Sequence, residues 1–358
     1  MSTKKIKKNI SNKKPIKVFV GMSGGVDSSV AALLLKQQGY EVVGCFIKGW
    51  YPSGLHCSWR EDRRDAMRIC AKLDVPFITI DGEKEYKKEV VDYMVSEFKA
   101  GRTPNPDVMC NKHIKFGIFL NEAKKMGADF IATGHYVKAK NSKIFQAKDL
   151  NKDQSYFLWA LTQKQLSDCL FPLGDLLKPE VKDIARKNHF ATADKAESMG
   201  VCFIGEFDIN DFLKRYIKPK KGKIVTTDGL TVGEHEGVEF YTIGQRHGFT
   251  KGGGVPYYIV DKDVKKNILI VAGKAQEQDF YIKEVKIEKI NWIAGKEPNT
   301  KKVYKARIRY RQPLQNCRLE IKKGKVLVKF SKAQRAVTPG QSVVIYSGKE
   351  MLGGGIIK

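Results

Sequence analysis

The chain reads as an α/β protein: a doubly wound parallel sheet, followed by two small β domains, the last a β-barrel. Three observations predict this. Up to about residue 135, short β-branched runs alternate with helical periods, the β/α grammar of a parallel sheet covered on both faces. From about residue 208 helical periods give way to short strands punctuated by turn pairs such as Asp228-Gly229 and Ser347-Gly348. The 358 residues, 42% of them hydrophobic, are enough for two or three ordinary cores.

In order, residues 1–16 form a Lys-rich start with no apolar run of signal-peptide length behind it, and are expected to be a disordered basic tail. Val18-Phe19-Val20 is a strand and residues 26–38 a helix ended by Gly39. Residues 42–47 form a strand, 61–73 a helix, 77–80 a strand and 83–99 a helix. A helix over 111–126, stopped by Gly127, leads into a strand at 130–133. The expected units are a catalytic domain over 17–207, a central β-rich linker domain over 208–278, and a C-terminal barrel over 279–358. In residues 304–311, Tyr304, Ala306, Ile308 and Tyr310 alternate with Lys305, Arg307, Arg309 and Arg311. Period two predicts an apolar face packed inward and a basic ladder facing out towards phosphates.

With 65 Lys and Arg against 39 Asp and Glu, the formal charge is +26, a field that attracts polyanions, nucleic acid first among them. No stretch approaches the ~20 apolar residues of a membrane helix. Seven cysteines, an odd number spread over a long chain without a CxxC pair, are no disulfide framework. A cytoplasmic, reducing location is expected.

Chemistry concentrates at two places. The first strand runs into Gly21, Met22, Ser23, Gly24, Gly25, Val26, Asp27, Ser28 and Ser29, then into a helix. Small residues between a strand and a helix N-terminus let backbone N–H groups close around phosphate. The loop has no Walker lysine and does not fit GxGxxG, so neither a Walker site nor a dinucleotide site is expected. Further on, residues 103–110 end in Cys110; Asp107 is placed to cap the helix that follows, which would set Cys110 in its first turn. Cys202 lies between Gly200 and Gly205. Cys45 and Cys169 sit in apolar runs and read as core, while Cys57, Cys70 and Cys317 have no telling context. His135 has no second His or Cys at ligand spacing, and no resident metal is expected.

The string SGGVDSS resembles the PP-loop of the ATP pyrophosphatase superfamily. Together with GRTPNPDVMCNKHIKF, ATGHY, NKDQSYFLWAL, GVCFIGE, GQRHG, RYRQ and TPGQS, in that order from Lys17 to Lys358, it resembles the tRNA-specific 2-thiouridylase (MnmA) family. The resemblance implies ATP with Mg2+ as cofactors, with Gly21 to Ser28, Ile47 and Gly134 as ATP contacts and Asp27 helping to place the ion. It implies Cys110 as nucleophile, Cys202 as persulfide carrier, a transient disulfide between them, and Asp107 as acid or base. The target base falls to Asn105, Pro106 and Asp107, and other tRNA contacts to His135, Lys152, Asp153, Gln154, Arg311, Gln312 and Gln341. Implied partners are tRNA, at its wobble uridine, and a persulfide-relay protein; a monomer is expected. Ile47, His113 and Met199 depart from the family's usual Met, Glu and Thr. The alternatives are another AMP-forming PP-loop enzyme, or a non-catalytic RNA-binding protein with a vestigial loop.

Overall fold

The computed structural model describes residues 15–52, 59–196, 208–246, 256–274 and 276–358. Most of the expected basic tail, Cys57, the whole GVCFIGE segment with Cys202, Met199 and the end of GQRHG lie outside them.

Strands β1 (Lys17–Gly21), β2 (Glu41–Lys48), β3 (Phe77–Asp81) and β4 (Phe130–Ala132) are joined by helices. A hairpin of β5 (Val137–Lys140) and β6 (Lys143–Gln146) then precedes β7 (Cys169–Leu170). The first sheet is parallel, in the order β3-β2-β1-β4-β7. Alternation sends side chains to both of its faces. Val18, Val20, Val42 and Phe46 pack against α1 (Val26–Gln37), α2 (Trp59–Lys72) and part of a later helix. Phe19, Val43, Cys45 and Ile47 face the other way. There they meet α3 (Glu83–Tyr86), α4 (Tyr93–Lys99), α5 (Pro106–Met109) and α6 (Phe119–Lys125). Helices on both faces make the sheet doubly wound, with β1 central.

Residues Lys87–Asp92 and Cys110–Ile118 are π-helical, so α3 runs on into α4 and α5 into α6. A π turn widens the backbone spiral and redirects side chains, a geometry frequent at functional sites. The second of these stretches begins at Cys110.

Among the described residues the further α-helices are α7 (Gln163–Ser167), α8 (Lys178–Lys187) and α9 (Ile209–Lys214). Strands β8 (Gly222–Thr226), β9 (Thr231–His235), β10 (Tyr257–Asp263) and β11 (Ile268–Gly273) form a four-stranded sheet, β10-β11-β8-β9. Strands β12 (Ile282–Trp292), β13 (Tyr304–Arg307), β14 (Gln315–Lys322), β15 (Lys325–Gln334), β16 (Ser342–Ser347) and β17 (Glu350–Ile357) follow. They pair antiparallel in the order β12-β15-β14-β13-β16-β17, and β17 returns to β12, closing a barrel. Closure removes the exposed sheet edges.

The first unit is tied into the barrel. Its β5–β6 hairpin extends the barrel sheet through Met351 opposite Ile144 and Glu350 opposite Phe145. The segment at 155–161 adds polar anchors. Trp159 Nε1 donates to Ser342 Oγ (3.0 Å), and Asn291 Nδ2 donates to the carbonyls of Trp159 (2.6 Å) and Leu161 (2.8 Å).

The expected basic ladder is corrected here. Lys305 and Arg311 are exposed, but β13 ends at Arg307, and Arg311 adopts a φ of 63°, turning the chain. Arg307 is 3% exposed and its guanidinium contacts Asp153 at 2.6 Å. Arg309 Nη2 donates to the carbonyls of Ala336 (2.8 Å) and Ile243 (3.2 Å). A buried guanidinium finds a carboxylate or carbonyls, whatever the strand period says.

Candidate active site

The glycine-rich loop Gly21–Ser28 leaves the carboxyl end of the central strand β1, and the Thr133-Gly134-His135 turn leaves its neighbour β4. A crevice at that position, where the strand order reverses, is where open α/β sheets take ligands. Ser23 N–H donates to Ser28 Oγ (3.1 Å), and Ser28 Oγ donates to the Gly25 carbonyl (3.1 Å). These bonds fold the loop back onto the start of α1. Gly25, the residue before that helix, offers no side-chain cap, so no side chain at that position satisfies the first N–H groups of α1.

Gly134 presses on this turn. A Cβ there would lie 2.8 Å from Ser28 N and 2.9 Å from the Asp27 carbonyl carbon, so only glycine allows the approach. Ile47, 4% exposed, ends near the same edge on β2.

Asp27 sits in the first turn of α1, and its carboxylate accepts Lys178 Nζ at 2.7 and 2.9 Å and the Tyr136 hydroxyl at 2.8 Å. Lys178 is 7% exposed and opens α8. Lys195 Nζ reaches the Gly24 carbonyl (3.2 Å), Asp62 (2.8 Å) and Asp65 (2.7 Å). The sequence reading missed both lysines. Pro179, in the first turn of α8, announces a helix start, but nothing local links Lys178 to a carboxylate 151 positions away.

The helix carrying Cys110 borders the same crevice. Phe119 Cε1 lies 3.3 Å from where a Gly21 Cβ would be, and the Phe116 ring packs 5.7 Å from the His135 ring. Phe119 follows Cys110 by nine positions of helix, roughly 10–14 Å along the axis. The start of this helix differs from expectation. Asn105, not Asp107, is the cap, accepting Val108 N–H at 3.4 Å, and Pro106 takes the first turn. The N–H of Cys110 is bonded to the Pro106 carbonyl, so the open N–H groups lie one turn earlier. Cys110 is 1% exposed within the apolar cluster that covers this face of the sheet. His113 stands 3.7 Å from Glu89, and burial holds its pKa below the ordinary value.

Other described cysteines are packing groups. Cys45, Cys70, Cys169 and Cys317 are buried, and burial pushes each thiol up, Cys70 and Cys317 to about 12. Among the described residues no group of three or more His, Cys, Asp or Glu is placed to hold a metal ion, and no helix is long and apolar enough to cross a membrane.

The expected RNA contacts divide into two sets. Lys152, Gln154, Gln312 and Gln341 are half-buried and Arg311 is exposed. Asp153 does not fit a surface contact: it is 1% exposed and accepts Ala147 N–H, Ser155 N–H, Ser155 Oγ and Arg307. His135 is 6% exposed, bonded to Thr133 Oγ1 at 2.8 Å and flanked by Phe116 and Phe171. Burial, helped by Lys115, holds its pKa well down, so the ring is neutral and lines the wall behind the loop.

A glycine-rich loop at the switch point of a doubly wound sheet, with a cysteine helix beside it and two β units later in the chain, is the layout of a nucleotide-binding type of α/β fold. Family profiles agree: residues 16–206 match a tRNA methyl transferase HUP domain, 210–273 a tRNA methyl transferase PRC-barrel domain, and 282–357 an aminomethyltransferase beta-barrel domain. The tRNA-specific 2-thiouridylase MnmA of Shouchella clausii is 47% identical over 349 residues, 95% of this chain and 96% of that protein. Its namesakes in Geobacillus thermodenitrificans (97% of this chain and 96% of that protein) and Methylobacillus flagellatus (95% and 98%) are also 47% identical. The chain belongs to the tRNA-specific 2-thiouridylase MnmA family.

Proposed function

We infer that this protein is a tRNA 2-thiouridylase, a sulfurtransferase that replaces an oxygen of a tRNA uridine with sulfur. Near-full-length identity to enzymes of that name supports it. The observation that carries the chemistry is the adjacency of the Cys110 helix to the phosphate loop, with Phe119 against Gly21.

ATP is the activating substrate, and the loop from Gly21 to Ser28 takes its pyrophosphate portion. The C2 oxygen of the wobble uridine attacks the α-phosphorus and pyrophosphate leaves, making the C2 oxygen part of an AMP leaving group. Cys202 carries a persulfide received from a relay protein. Cys110 attacks its inner sulfur, forming the Cys110–Cys202 disulfide and releasing hydrosulfide, which adds to C2 and expels AMP. A persulfide that attacks C2 directly, with Cys110 resolving the adduct, ends at the same disulfide, which a thiol then reduces. Asn105, Pro106 and Asp107, just upstream on the same helix, receive the base, which has to leave its stack to reach them.

One carboxylate beside a phosphate loop is the donor that a nucleotide-bound magnesium ion uses, so Asp27 fits the ion once Lys178 yields an oxygen. Bound there, magnesium would offset phosphate charge as pyrophosphate departs. The field of a +26 chain draws the RNA, and affinity falls as salt rises.

Mass spectrometry of nucleosides from tRNA incubated with the protein, ATP, magnesium and a persulfide source is the test. The expected product is 2-thiouridine, dependent on ATP. Unchanged uridine with turnover of ATP on another acceptor would overturn the reading.

A further inference from the structure

We propose that the barrel turn at Pro339-Gly340-Gln341 is a positioning element of the active site, with Gln341 holding the loop that presents Asn105 and Cys110; this rests on the function proposed above. Gln341 Nε2 donates to the carbonyls of both Thr103 (3.0 Å) and Pro104 (2.9 Å). Thr103 N–H donates back to the Pro339 carbonyl (2.9 Å). Between them Gly340 has a φ of 93°, and a Cβ on it would sit 2.7 Å from the Thr103 oxygen and 2.9 Å from its carbonyl carbon. The turn therefore lies backbone against backbone on the loop.

Two further bonds flank the grip. The Tyr156 hydroxyl donates to the carbonyl of Ser342 (3.1 Å), the residue after Gln341. Thr103 Oγ1 lies 3.1 Å from Thr242 Oγ1, which precedes strand β10 of the four-stranded sheet. Thr103 and Pro104 are thus held from the barrel turn, and Thr103 also from Thr242, immediately before the helix whose first turn receives the base. Both N–H groups of the Gln341 amide are spent on this loop, and an amide so engaged has only its carbonyl left for RNA. A barrel displaced by even about 1 Å moves the loop, and misplacement on that scale costs reactions on the order of 10²-fold in rate.

The geometry separates two roles for Gln341. A residue that only touches RNA changes tRNA affinity; one that holds the loop changes the rate with tRNA already bound. Gln341→Met keeps the length and removes both donors. Gly340→Ala keeps the amide and wedges the two backbones apart. For each variant, single-turnover thiolation at saturating tRNA and tRNA binding are measured on the full-length protein. Both variants are expected to thiolate at least ten-fold more slowly, with the tRNA Kd within about two-fold of wild type. Preserved binding also reports that the variants are folded. A wild-type rate, or a loss carried by the Kd alone, overturns the assignment, whereas a wild-type protein that makes no 2-thiouridine would overturn the function itself. If Gln341→Met does not fold, Gly340→Ala decides by the same pair of measurements.

Discussion

Cys110→Ser is expected to abolish 2-thiouridine formation, by at least about 10³-fold, the scale on which removing a covalent nucleophile acts. The same variant is expected still to exchange pyrophosphate into ATP in the presence of tRNA. The separation follows from the layout. The Gly21–Ser28 loop lies between β1 and α1 against the Gly134 turn, and its internal bonds run through Ser23, Ser28 and Gly25. Cys110 contributes to none of them; it lies on the neighbouring helix, which meets the loop through Phe119. Cys202→Ser is expected to lose sulfur transfer to the same degree, with the double variant no worse than either single one, because residues that act as a unit are not additive. Cys70→Ala, on the buried face of α2, is expected to retain activity. Product formation by either serine variant contradicts the account.

The second large effect is on stability. Asp153→Ala removes the carboxylate facing Arg307 where the two side chains are 0% and 4% exposed. It strands a guanidinium whose remaining partners are Tyr346 (2.7 Å) and Ser155 (3.2 Å). Breaking a buried pair in this way costs about 3–5 kcal/mol, most of it the uncompensated charge. The urea midpoint is expected to fall for Asp153→Ala and for Arg307→Met. The double variant Asp153→Leu with Arg307→Met falls less than the sum of the two, since no lone charge remains. Additive losses would mean that the pair contributes nothing as a pair. A normal midpoint with weakened tRNA binding would return Asp153 to the RNA surface.

What the sequence discloses depends on how local the cause is. The β/α alternation up to β4 is a matter of neighbouring residues, and the strands and helices of the first sheet follow it closely. The β5–β6 hairpin is different. Its strands have four residues each, and its turn is Asn141-Ser142, both at positive φ without a glycine to announce them. Its reason for existing is a partner strand at 350–351. The basic ladder fails for a related reason: period two continues through Arg311, but the strand stops at Arg307. What draws Arg307 inward is a carboxylate 154 positions away. The candidate site divides in the same way. Its glycine loop was readable on sight, and Asn105-Pro106 is a local signal for the helix start that the Asp107 cap reading passed over. Lys178 against Asp27, and Gln341 against Thr103, exist only in the folded chain.

The most direct test of the central claim follows one turnover without added thiol. Wild-type protein carrying a persulfide is mixed with ATP, magnesium and tRNA, quenched with an alkylating agent and digested. Peptide mass spectrometry is expected to find the peptides of Cys110 and Cys202 joined by a disulfide, in amount equal to the 2-thiouridine made and absent when ATP is withheld. Thiolated tRNA beside a Cys110 and a Cys202 that are both alkylated would contradict the mechanism.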